Sequence, residues 1–239
     1  MQKMSLRSKI FLFFLERILL QIRKQNRSWD PRKWSNRELS KFSSIFTGPV
    51  VNISAWEDRD KEGSFYRNYF SNSEYYCISN KGGARGESGS GYEIKLDLEQ
   101  PRVGEKWSKR FQVVLNHTVL EHVYDVRAAV ENLACMSNDV IITIAPFMQI
   151  EHWEEGSYGD YWRFTQHSLE ALFSEHGFSP VYVSSNHNPV YPIYFFQIVS
   201  RDALRWKREI RGISQDNLFG ELLRTHIATR SIGHFSLMK

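Results

Sequence analysis

Cysteine is scarce in this 239-residue sequence, which has only Cys77 and Cys135. Two cysteines cannot make a disulfide framework or a cysteine-rich zinc site, and both read as buried free thiols of a reducing, cytoplasmic compartment. Long apolar runs are missing as well. The densest stretch, IFLFFLERILLQI within the first 27 residues, is too short to span a bilayer and is interrupted by Glu16 and Arg17. Its apolar part, Ile10–Leu15, is followed by charge and not by a small-residue cleavage site, so a signal peptide is not expected. The glycine-rich KGGARGESGSG, Lys81 to Gly91, lacks the Walker spacing and the Lys-Ser/Thr that would follow it, which argues against a nucleotide loop. No structural-zinc spacing and no His-Glu-x-x-His pattern occurs, so spacing predicts no metal. Internal repeats, coiled-coil heptads and lipidation motifs are absent too.

What is present is unevenly charged. Residues 1–41 carry eleven Lys/Arg against three Asp/Glu, and residues 201–239 carry eight against four. The overall charge of +4 therefore leaves the middle of the chain near −8. Basic arms on an acidic body suit phosphate-rich surfaces such as lipid headgroups, or docking on the body itself. The amino-terminal stretch has the composition of a helix lying on a membrane surface, or of one packed on the domain. The arms contain no recognisable nucleic-acid module, so nucleic acid is not an expected partner.

The length suits one core with extensions: a basic helical arm over 1–47, a domain over 48–200 and a helical extension over 201–239. Two β-branched runs, Phe111–Leu115 and Val140–Ala145, frame a helix over Val126–Ala134 that Asp125 caps. Strand, helix, strand at that spacing is a βαβ unit with parallel strands. Earlier strands are expected at Val50–Ile53, Tyr75–Ser79 and Glu93–Leu96, with a short aromatic helix over Ser64–Phe70. Asp30-Pro31 marks a helix start. After the fifth strand, Gln166–His176 reads as a helix closed by Gly177, and Pro180–Ser185 and Pro192–Ser200 read as a closing hairpin. Ligands of such sheets sit at the carboxyl ends of the strands, here Asn116–His117 and Pro146–Phe147.

The strings VVLNHTVLEHVYD and PFMQIEHWEEGSYGDYWRFTQHSLEALFSEHGF carry a resemblance. The first resembles the fourth-strand region of class I S-adenosylmethionine-dependent methyltransferases. The second, with its DYWRFT run, is similar to a type 11-like branch often found in surface-polysaccharide gene clusters. The resemblance covers roughly Gly48 to Ser200. It implies an α/β, Rossmann-like, seven-stranded and mostly parallel sheet with an antiparallel carboxyl-terminal hairpin and helices on both faces. It also implies S-adenosylmethionine as cofactor and methyl transfer to a small-molecule or glycan-linked acceptor.

The same resemblance assigns roles, and this chain departs from the pattern in its first half. Asn52 stands where an acid is expected, and Ser54, Ala55 and Trp56 occupy the glycine-rich turn. Ser79 stands where an acid would take the ribose hydroxyls; Asp97 matches the position near the adenine amino group, and is also an ordinary turn residue. Asn116 and His117 face the cofactor. His152 is the leading general base and His122 the second, since imidazoles titrate near neutral pH. Glu121-His122 is expected to begin a helix, where Glu in the first turn also suits the helix dipole. Tyr161 and Arg163 are the acceptor-side residues, or else part of a self-packing DYWRF scaffold. The altered turn keeps a second reading open: a methyltransferase fold that serves as an inactive scaffold or regulator.

Overall fold

The apolar runs assemble into one sheet in the computed structural model, which describes residues 30–79, 93–155, 158–186 and 193–211. Its strands are β1 (Val50–Ile53), β2 (Tyr75–Ser79), β3 (Glu93–Lys95), β4 (Phe111–His117), β5 (Ser137–Pro146), β6 (Ser179–Ser185) and β7 (Tyr194–Ser200). The order across the seven-stranded sheet is β3-β2-β1-β4-β5-β7-β6. β1 to β5 pair in parallel, and β7 runs antiparallel to both neighbours. This is the expected α/β architecture. β1, β4 and β5 are apolar almost throughout because helices cover both faces. Register places Asn116 of β4 beside Ile53 on one side and Thr143 on the other, and Thr143 beside Gln197 of β7.

Helices α1 (Pro31–Phe42), α2 (Val126–Met136), α3 (Gln166–Ser174) and α4 (Ala203–Arg211) begin where the sequence supplies a cap or a free amide acceptor. Asp30 accepts from the amides of Arg32 and Lys33, with Pro31 in the first turn. Asp125 accepts from Ala128 N, and Thr165 from Ser168 N. Gly177, at φ +80, lets the chain reverse after α3. α2 and α3 cover one face over Val51, Ile53, Val114, Ile141 and Val199. α1 and α4 cover the other over Val50, Val113, Leu115, Ile142 and Phe196.

The boundary expected at residue 47 is crossed by packing. Leu39, Phe42 and Phe46 are fully buried, each burial contributing roughly 1.5–3 kcal/mol. Phe42 meets Tyr182 at 4.6 Å between ring centroids, and Phe46 meets Trp206 at 4.9 Å. Glu38 of α1 accepts from Tyr182 Oη at 2.6 Å and Ser184 Oγ at 3.1 Å, tying the helix to β6. The expected boundary at 200 is crossed likewise: Trp206 donates to Asp139, which also accepts from Ser200 Oγ. The described parts of both extensions thus belong to the core. The apolar amino-terminal stretch, the tail after Arg211 and the Gly/Ser loop lie outside the described residues.

Several boundaries differ from expectation. β5 is longer than its apolar run, reaching Ser137–Pro146, because β4 and β7 flank it on both sides. The aromatic segment forms only a 3-10 turn over Tyr66–Phe70. Glu121-His122 does not open a helix. It lies in a single 3-10 turn, Leu120–His122, after Thr118 turns the chain at φ 53, and α2 starts only at its Asp125 cap. Among the described residues no helix is long and apolar enough to cross a membrane.

Candidate functional site

The carboxyl ends of β1, β4 and β5 meet α1 and the loop that follows β5. After β1 the chain makes a turn in which Ser54, Glu57 and Asp58 all take positive φ (50, 49 and 56). Non-glycine residues hold that conformation only where their surroundings impose it. Asp58 supplies the constraint. Its buried carboxylate accepts from Asn52 Nδ2 at 3.0 Å, Tyr75 Oη at 2.8 Å, Arg67 Nε at 2.9 Å and Arg67 N at 3.1 Å. Asp60 closes the next turn. Burial alone would raise its carboxyl, but the amides of Glu62 and Ser64 and the Tyr69 hydroxyl outweigh burial and lower it.

At the end of β4, Arg32 of α1 lies over His117. Its Nη1 is 2.6 Å from His117 Nδ1 and 3.1 Å from Tyr66 Oη, and its Nη2 is 3.0 Å from Thr118 Oγ1. Burial, and then the Arg32 charge, hold His117 well below the usual imidazole range, so the ring is neutral and accepts from the guanidinium.

Beyond β4 and β5 a second polar group forms. Residues 158–165 fold back on the turn after β4 through Tyr161 N to Glu121 O at 2.7 Å and Trp162 Nε1 to Val123 O at 2.8 Å, and onto the end of β5 through Phe164 N to Pro146 O at 2.9 Å. Arg163 holds both oxygens of Asp160 at 2.6 Å and donates to Gln149 O. Burial would raise Asp160, but the Arg163 hydrogen bonds, the His152 amide and the Arg163 charge overrule it and bring the carboxyl to about 2. This closure sets the His122 and His152 rings edge to face at 4.8 Å. The Glu121 side chain is fully buried, neither of its carboxyl oxygens has a hydrogen-bond partner, and burial pushes that carboxyl up to about 8. Burial lowers His122, so that imidazole is neutral near pH 7.

The sequence-selected residues therefore separate into groups. Asn52 is committed to Asp58. Ser54, Ala55 and Asn116 line the ends of β1 and β4, and Ser54 Oγ and both amide atoms of Asn116 are buried with no hydrogen-bond partner. Asp97 sits in the turn after β3, where its carboxylate accepts from Glu99 N. The side chains of Trp56 and Ser79 lie outside the described residues. His122 and His152 are brought together; Tyr161 is 51 % exposed near them, and Arg163 is turned toward Asp160. Sequence reasoning missed Arg32, Asp58 and Asp160. Arg32 sits two residues after a recognised cap, Asp58 in a run of mixed charge, and Asp160 three residues before Arg163, a spacing that signals an ion pair.

No family model matches the chain, and no curated protein matches it. Solved structures do. One is the 1,6-didemethyltoxoflavin-N1-methyltransferase of Burkholderia thailandensis, with bound 1,6-didemethyltoxoflavin and S-adenosylhomocysteine. It is 12% identical at a TM-score of 0.51, and the match covers 84% of this chain and 92% of that one. Another is an S-adenosylmethionine-dependent methyltransferase from Clostridium acetobutylicum, 7% identical at a TM-score of 0.52, over 79% of this chain and 98% of that one. At such identities the likeness concerns the fold. This chain has the fold of S-adenosylmethionine-dependent methyltransferases.

Proposed function

We propose that the protein is an S-adenosylmethionine-dependent methyltransferase acting on a small-molecule or glycan-linked acceptor. The observation that carries this reading is the set of orphaned polar atoms at the carboxyl ends of β1 and β4. Ser54 Oγ, Asn116 Nδ2 and Asn116 Oδ1 are buried and unpartnered where this fold receives ligands. Such atoms are costly unless a ligand or water satisfies them. Ser54 and Ala55 are small enough for close approach, so the residues present fit the cofactor, with Arg32, held over His117 at the end of β4, as a cation for its carboxylate. The cofactor supplies an activated methyl group on a sulfonium. The chain's own part is to orient the acceptor and receive its proton.

For the acceptor side, His122 and His152 are the groups able to take a proton. The Tyr161 and Trp153 rings, both largely exposed, offer apolar faces on the same loop for a sugar or a small planar molecule. Calorimetric titration with S-adenosylmethionine and S-adenosylhomocysteine tests the reading. Micromolar binding, weakened in Asn116→Ala, is expected; Asp97→Ala weakens it too only if that turn acid reaches the adenine. No heat at millimolar ligand from folded, monodisperse protein would overturn the proposal and leave a methyltransferase-fold scaffold.

A further inference from the structure

Glu121, His122 and His152 each offer a ligand atom within 4.8 Å of the other two. The carboxylate of Glu121 is fully buried, and neither oxygen has a hydrogen-bond partner. A carboxylate so placed is expensive, and a cation is one of the few groups that offsets its burial. Each imidazole is held through one ring nitrogen. His122 Nδ1 lies 2.6 Å from Gly159 O. A carbonyl only accepts, so the ring proton is on Nδ1, and the lone pair is on Nε2, 3.8 Å from Glu121 Oε1. His152 Nδ1 lies 3.3 Å from Asp160 Oδ2, and Arg163 locks that carboxylate in place. Gln149 Nε2 is 3.4 Å from the same His152 nitrogen while its own Oε1 is buried and unpartnered; turning the amide over faces that oxygen toward the Nδ1 proton. Backing of imidazoles by a carbonyl and a carboxylate is how protein metal ligands are aimed.

We propose that Glu121, His122 and His152 form a binding site for a divalent first-row transition ion, zinc foremost, with a coordination position left for a water or substrate oxygen. Two imidazoles and one carboxylate suit zinc and its neighbours, whereas calcium and magnesium prefer oxygen ligands throughout. Metal–ligand bonds of ~2.0–2.2 Å in tetrahedral geometry place ligand atoms ~3.4 Å apart. The contact between Glu121 and His122 is already close to that. The remaining approach falls to His152, which is only half-buried on a surface loop. The ligands come from two segments that meet only because loop 147–165 folds back, which is why spacing in the sequence does not reveal them. The use made of the ion rests on the methyltransferase reading: it would hold an acceptor oxygen and lower its pKa, in place of direct proton transfer to an imidazole. Binding of the ion does not depend on that reading.

The test uses the full chain, stripped with a chelator and titrated with zinc chloride by calorimetry and with cobalt chloride by visible absorption. One ion per chain is expected, with cobalt bands of a low-coordinate nitrogen–oxygen site and a zinc-dependent rise in melting temperature. Affinity should fall at least about tenfold in both Glu121→Gln and His152→Ala and stay unchanged in His167→Ala. Because His152 lies at the surface, its variant should fold, and circular dichroism verifies this. Absence of binding, or binding that survives His152→Ala and Glu121→Gln, would overturn the proposal. Failure here leaves the cofactor titration untouched, so the two readings fall separately.

Discussion

Replacing Asp58 by Ala should cost about 3–5 kcal/mol of stability, the range for stranding the partners of a buried charge. Four hydrogen bonds converge on this carboxylate, and two of their donors, Asn52 Nδ2 and Arg67 Nε, belong to side chains on either side of the turn. The Arg67 side chain is 37% exposed, so water screens part of the ion pair and the lower end of the range is the better estimate. Alanine also tolerates φ 56 less well than aspartate. At roughly 2–4 °C per kcal/mol for a chain of this size, the melting temperature should drop by about 10 °C. Asp58→Asn keeps the shape and the tolerance of positive φ, and should cost about half as much. Urea unfolding gives the free energies, and a double-mutant cycle with Arg67→Ala gives the coupling. A loss under about 1 kcal/mol, or a coupling below about 0.5 kcal/mol, would refute the view that Asp58 imposes the turn. Because the turn carries Ser54, any affinity for the proposed cofactor should fall together with stability.

Two further outcomes follow from the same contacts. The folded-state carboxyl of Asp160 is held at about 2, below its ordinary value of 3.8, so its contribution is fully present above about pH 4 and is lost as pH falls from 4 to 2. Asp160→Asn should lower stability at neutral pH and remove about 2 kcal/mol of acid sensitivity from urea curves at pH 2–5; parallel curves for variant and parent would contradict this. Gly104→Ala would set a Cβ 2.7 Å from the backbone oxygen of Asn132 in α2, and Asn132 also binds the 98–104 segment through its side chain. A loss of about 1–3 kcal/mol by thermal unfolding is expected, and an unchanged melting temperature would show that the segment moves freely.

The sheet was legible because a parallel strand buried on both faces reads as a near-continuous apolar, β-branched run, as in Val140–Ala145, and because Asp30 and Asp125 announce helix starts. The site was less so. His117 was visible at a strand end, yet its partner Arg32 lies 85 residues earlier and reaches it only because α1 packs across the sheet. Glu121-His122 looked like the opening of a helix, since acid at a helix start is favourable in isolation. The positive φ at Thr118 and the later cap at Asp125 defeat that local preference. Asp58 was hidden in a run of mixed charge that ordinarily signals a solvated loop, and nothing local distinguishes a buried acid from its exposed neighbours. His152 was selected for its chemistry. Its pairing with His122 depended on a loop fold that only long-range hydrogen bonds define.

The bond between Glu38 and Tyr182 joins residues 144 positions apart, and Phe42 packs on the same tyrosine. During synthesis at roughly 5–20 residues per second, α1 therefore emerges on the order of ten seconds before its docking surface exists. Until β6 and β7 arrive, the apolar flank of Leu39 and Phe42 is exposed to whatever else binds nascent chains. A ribosome-stalled fragment ending before β6 should hold that helix open to proteases and chaperones, so the last of the described strands govern when the earliest described helix becomes safe.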